Sequence, residues 1–135
     1  MSLVVPNAAE IDALQKILNT PLTLRLYSNN VTPSESTSTA SFTETTGGGY
    51  ANKPLVFADW AFTAGTPSYA QAAKRSWTFT GAVGGTGTIY GYYVTRDSDN
   101  LLLWAERFPP AVVPFTPKNG SLIQVTPKFT GSSVY

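Results

Sequence analysis

Two aspartates, Asp97 and Asp99 in Arg96-Asp97-Ser98-Asp99-Asn100, are the residues whose type and spacing come nearest to a chemical site. Carboxylates at alternate positions begin a calcium loop, or supply a pair for acid–base work. The series stops at Leu101, which takes the next ligand position, and neither the required glycine nor a distal glutamate follows. Asp and Asn also bond their own backbone in tight turns, and the apolar runs on both sides make this a hairpin turn. Gly85-Thr86-Gly87 begins like a dinucleotide fingerprint, but Tyr90 stands where the third glycine belongs. A strand pattern follows it instead of a helix, so no phosphate cradle is expected.

Cys and His are both absent. That removes disulfides, thiolate nucleophiles, ordinary zinc sites and imidazole bases, and leaves carboxylates, lysine, tyrosine and hydroxyls. Glycoside hydrolysis needs only two carboxyl groups, so it survives this exclusion. Asp59, beside Trp60, and Glu106 are the acids embedded in apolar runs. A strand-end or interface charge is the plainer reading of Asp59, and Glu106 and Arg107 are sequence neighbours that point to opposite faces of a strand. No enzyme, cofactor or metal is expected. Aromatic residues make up 13% of the chain and recur at alternate positions, as in Trp77 with Phe79 and Tyr90 with Tyr92. Such rings fill a β core, or form a face for sugars or bases. Only Lys74 and Arg75 adjoin an aromatic stretch, too little charge for a nucleic-acid groove. A glycan face through Trp60, Trp77 or Tyr92 stays open as a secondary reading.

The elements that position these residues are mostly strands. With 135 residues the chain suits one domain, and charged residues are only 13% of it, 9 basic against 8 acidic. No net field steers it to nucleic acid or an anionic membrane. No basic region precedes an apolar segment at the start, and the longest apolar run, residues 101–105, is far short of a span, so neither export nor membrane insertion is expected. Residues 6–18 carry the only helical pattern, with Asn7 as N-cap, Glu10 three positions on, and Ile11, Leu14, Ile17 and Leu18 in one stripe. This stripe must pack on the chain's own sheet or on a neighbouring subunit, because so short a helix is marginal alone. Leu22 to Tyr27 alternates as a half-buried strand, and residues 55–62, 75–80, 88–95, 101–108 and 121–129 are further candidates. Pro127 places the last one at an edge or a bulge. The expectation is an all-β antiparallel β-sandwich or jelly-roll-like barrel of about six to eight strands. It comprises an N-terminal helical segment, 1–20, and a single β domain, 21–135. Residues 30–53, rich in Ser, Thr and Gly, read either as a mobile loop or as an extended arm ordering on a neighbour, with Phe42 and Tyr50 as anchors and Gly47-Gly48-Gly49 as hinge.

Val4-Val5-Pro6-Asn7, Leu24-Arg25-Leu26-Tyr27-Ser28-Asn29-Asn30 with Thr32-Pro33, Phe42-Thr43-Glu44, Gly49-Tyr50-Ala51, Ile89-Tyr90-Gly91-Tyr92-Tyr93-Val94, Leu103-Trp104-Ala105-Glu106-Arg107-Phe108 and Val125-Thr126-Pro127-Lys128-Phe129 occur in this order. Across nearly the whole chain they resemble a family of small structural proteins of tailed bacteriophages. The resemblance implies a virion component of the outer capsid surface, assembled in the host cytoplasm. It would be a cement or decoration protein that binds the major capsid protein across capsomer junctions, and a homotrimer at a local three-fold position by analogy. A tail, neck or fibre-associated protein is the alternative. The helix stripe, Ile11, Leu14 and Leu18, and the arm residues Phe42, Glu44 and Tyr50 are the expected protein contacts. Low charge suits such a surface, since each charge brought against another protein must be desolvated.

Overall fold

In a computed structural model of the chain, residues 4–130 are described. Leu22–Tyr27 forms β1, as its alternation predicts, and is the strand around which the largest sheet is built, but it is buried on both faces instead of one, with Thr23 and Tyr27 covered as well as the leucines. β2 (Lys53–Leu55), β6 (Gly91–Arg96) and β7 (Leu102–Arg107) join it in the order β2-β1-β6-β7. β3 (Trp60–Thr63), β4 (Tyr69–Ala72) and β9 (Lys128–Thr130) form a second sheet, and β5 (Arg75–Thr78) pairs with β8 (Leu122–Val125) in a third. Every pairing is antiparallel. The described residues thus hold nine strands in three sheets, none closed into a barrel, and the fold is all-β and sandwich-like. One core unites the sheets: Leu22, Leu24 and Leu26 meet Trp60, Ala70, Trp77, Val94 and Ile123 in a single apolar cluster. No helix among the described residues is long and apolar enough to cross a membrane.

Several elements differ from expectation for local reasons. The run 55–62 is two strands, β2 and β3, divided by a 3-10 turn at Phe57–Asp59. Asp59 accepts from the Val56 N–H at 2.8 Å, so a side chain takes a donor that a strand would have used. Residues 121–129 likewise split around Pro127 into β8 and β9, while the Pro127 carbonyl accepts from Ala72. β4 lies in an alanine-rich stretch with no β-branched signal, and burial of Ala70 and Ala72 holds it in place.

The helix α1 (Asn7–Leu18) begins one residue earlier than an Asn7 cap implies: Pro6, not Asn7, occupies the cap position, in extended conformation and with no side-chain cap bond. The Pro6 carbonyl accepts from Ala9 and Glu10 and opens the helix. Leu14 and Leu18 are fully buried, so two residues of the stripe belong to this domain's own interior. Glu10, instead of returning to the cap, accepts from the Ser68 hydroxyl and ties the helix to the loop before β4.

Residues 30–53 do not project as an arm. β2 covers one edge of β1 at Leu22, Thr23 and Leu24, leaving the other half of that edge open. The segment around Glu44 fills it: Ser28 N–H donates to Thr43 and Thr45 N–H to Leu26, each at 2.9 Å. Strand addition therefore does occur, but within one chain. Beyond it Gly47, Gly48 and Gly49 all take positive φ, and a Cβ at Gly48 would lie 2.8 Å from the Gly81 carbonyl oxygen. These glycines are a tight turn against residues 80–84, where the hinge was expected.

Candidate functional site

The outer face of β1 and β6 carries the most connected polar group of the molecule. Arg25 donates through Nε to the Thr95 hydroxyl at 3.1 Å and through a terminal nitrogen to Glu44 Oε1 at 2.7 Å. Glu44 Oε2 in turn accepts from the Tyr50 hydroxyl at 2.7 Å and from Asn52 at 3.2 Å. The Tyr50 oxygen also accepts from the Leu26 N–H, so one phenol bridges the infilling segment and the sheet. Burial pushes the Tyr50 phenol up, and its hydrogen bond to the Glu44 carboxylate adds to the shift.

Phe42 sits beside this network. Its ring stacks on Tyr93 with centroids 4.6 Å apart and tilts against Tyr27 at 4.7 Å. Tyr27 can lie flat across β6 because Gly91 has no side chain; a Cβ there would meet the Tyr27 ring and the Glu106 carbonyl. Over these rings lies an open groove of about 830 Å³, walled on one side by residues 37–40 and on the other by the tip of the β6–β7 hairpin. Thr39 closes one end by donating to the Asn100 carbonyl at 2.8 Å. The wall is hydroxyl-rich, and Leu101, 48% exposed, offers the apolar contact. Arg25, Glu44 and Asp99 add charge of both signs to its lining.

The hairpin tip is a turn, as its residues predict. Asn100 adopts φ 60° and donates to the Arg96 carbonyl, while Arg96 makes a two-pronged contact to Asp99 at 2.9 and 2.6 Å. That hydrogen bonding holds the Asp99 carboxyl down at about 2. Asp97 instead accepts from the Thr23 hydroxyl at 2.6 Å, so the two carboxylates serve different partners. Asp59 pairs with Arg75 at 3.2 Å, and Glu106 accepts from the Tyr92 hydroxyl at 3.1 Å.

Of the six contact residues expected from sequence, the structure brings Phe42, Glu44 and Tyr50 together around the groove and its supporting network. Ile11 is half-buried on α1, and Leu14 and Leu18 are interior. Trp60, Trp77 and Tyr92 do not form a glycan face: they are 7%, 3% and 6% exposed, because the sheets close over them. Sequence reasoning missed Arg25, Tyr93 and Leu101. The available signal was Arg25 itself, the one charge in the strand Leu22–Tyr27. Comparison with family models, with curated proteins and with solved structures finds no match for this chain.

Proposed function

We propose that the chain is a structural protein of a tailed bacteriophage virion, a cement or decoration protein. It would lie on the outer capsid, contact the major capsid protein across capsomer junctions and stabilise the shell by burying surface. The observation that carries this reading is the character of the surface. The core is satisfied within one chain, yet Val4, Val5, Val56, Phe57, Leu101 and Leu122 remain exposed on a surface poor in charge. Protein interfaces are depleted in charge at their centres, so such a surface desolvates cheaply. The ordered motifs that resemble phage structural proteins supply the partner. The role requires no chemistry from the chain, and it allows many weak contacts to add through avidity.

The test mixes the purified chain with expanded capsids that lack it. Stoichiometric binding and a raised shell melting temperature are expected. Absence of binding to capsids, with binding to tails or necks instead, overturns the proposal in favour of the alternative position.

A further inference from the structure

Residues 118–121 close one end of the β5–β8 pair, and they do so with the single Asn-Gly step of the sequence, Asn119-Gly120. Ser121 N–H donates to the Lys118 carbonyl at 3.0 Å, and Gly120 takes φ 89° while Asn119 stays out of the left-handed region, the signature of a type II turn. Gly120 N–H donates to the Phe79 carbonyl at 2.7 Å, and Phe79 N–H to the Ser121 carbonyl at 2.8 Å, so Gly120 and Ser121 together oppose Phe79. Such a bulge requires glycine as its first residue, because glycine takes this φ without strain. Lys118 N–H adds a bond to the Ser121 hydroxyl at 3.0 Å. Asn119 and Gly120 are both exposed, whereas Phe79 is buried in the core.

An asparagine followed by glycine can react with its own backbone. The Gly120 nitrogen attacks Asn119 Cγ, and the new N–Cγ bond closes a five-membered succinimide. The Cγ–Nδ2 bond breaks, and the side-chain nitrogen leaves as ammonia with the proton that the Gly120 nitrogen gives up. Water then opens the ring. Cleavage of the bond to Cγ gives aspartate, and cleavage at the main-chain carbonyl gives isoaspartate, in which the chain runs through Cβ and Cγ. Glycine has no side chain to shield its nitrogen; at the exposed Asn100, the branched side chain of Leu101 does so. Two features of the closed turn withhold the reaction. A type II turn gives its first central residue ψ of about +120°, which swings Cβ away from the following nitrogen, whereas ring closure needs the two eclipsed. The bond to Phe79 also keeps the Gly120 proton engaged in the ladder.

We infer that Asn119 is a self-modification site gated by the Gly120–Phe79 rung: it converts to aspartate and isoaspartate when that end of the β5–β8 pair opens, and stays intact while it is closed. Either product places a negative charge beside Lys118 and takes the net charge from +1 to zero. Isoaspartate also lengthens the main chain inside the turn, which shifts Gly120 out of register with Phe79. With ammonia lost, the change is one-way, so the site records how often this end of the pair has opened. It does not depend on the capsid role.

Incubation of the purified chain at mildly alkaline pH, in buffer and in urea, tests it by peptide mapping with mass spectrometry and isoaspartyl methyltransferase labelling. Asn119 is expected to convert about tenfold or more slowly in buffer than in urea, since local opening costs free energy. Asn100 should stay intact in both over that time, and Asn119→Gln should remove the signal from both. Ser121→Ala takes away the hydroxyl that accepts from Lys118. It should weaken hydrogen-exchange protection of the Gly120 amide and speed conversion in buffer, with the rate in urea unchanged. Conversion as fast in buffer as in urea, an Asn119 that survives urea, equal conversion of Asn100, or weaker Gly120 protection in Ser121→Ala without faster conversion overturns the inference. If Ser121→Ala fails to fold, the unaltered chain in buffer and in urea still decides.

Discussion

Tyrosine is the residue on which this fold leans most visibly. Tyr27, Tyr50, Tyr92 and Tyr93 all have phenols pushed above the ordinary value of 10, in each case chiefly by burial, with Tyr27 and Tyr93 reaching about 12. A phenol raised on folding is neutral in both states below pH 10 and adds its full stabilisation there. Between pH 10 and 12 the unfolded chain ionises while the folded one resists, so stability must fall as pH rises through that window. Urea unfolding midpoints should therefore hold steady up to pH 10 and then drop, with ultraviolet phenolate absorbance rising together with loss of tertiary circular dichroism. Free ionisation of these phenols near pH 10 in an intact fold would contradict the burial described. The same residues show what sequence can reveal at this scale. Phe42 and Tyr50 stood out as anchors from their isolation in a hydroxyl-rich segment, and in this structure they pack on the chain's own sheet. Whose surface they grip was not legible, because an aromatic ring binds a sheet of its own chain and one of a neighbour by the same physics.

The infilling segment makes that ambiguity concrete at the scale of elements. An arm that ordered only on a partner could be cut away without loss to the β core. Here, deletion of residues 32–48 would strip β1 of two backbone hydrogen bonds at its open edge and leave Arg25 without Glu44. It would also remove Phe42 from between Tyr27 and Tyr93. Truncating a buried Phe alone costs about 3 to 5 kcal/mol, a large part of a small domain's stability. Phe42→Ala should lower the unfolding free energy by about 3 kcal/mol, and the deletion should abolish cooperative unfolding; a deletion variant melting like the intact chain would restore the arm reading. Other elements were legible in proportion to how far local pattern agreed with packing. β1 alternates Leu22, Leu24 and Leu26 against Thr23, Arg25 and Tyr27, and was readable to its ends. β4 was not, since Tyr69 is the one strand-favouring residue of Tyr69-Ala70-Gln71-Ala72, and pairing with β3 and with the distant β9 holds it.

For the molecule as a whole, charge is nearly balanced and largely spent internally. Asp12, Glu44, Asp59 and Asp99 form ion pairs. Glu10, Asp97 and Glu106 each accept from a hydroxyl within the chain. Little charge is left to steer the molecule onto a partner, and what remains is of both signs. Association through exposed apolar residues should then respond to salt in a distinctive way. Contacts between exposed charges weaken as the screening length shrinks from about 10 Å at 0.1 M to about 3 Å at 1 M. Apolar burial does not weaken, and salts such as sulfate strengthen it. Capsid-binding isotherms at low and high sodium chloride should agree to within about threefold, and sulfate should tighten binding. A tenfold or greater loss in sodium chloride would show that lysines outside the ion pairs carry the attachment, and would move the contact surface from the exposed apolar residues to Lys74, Lys118 and Lys128.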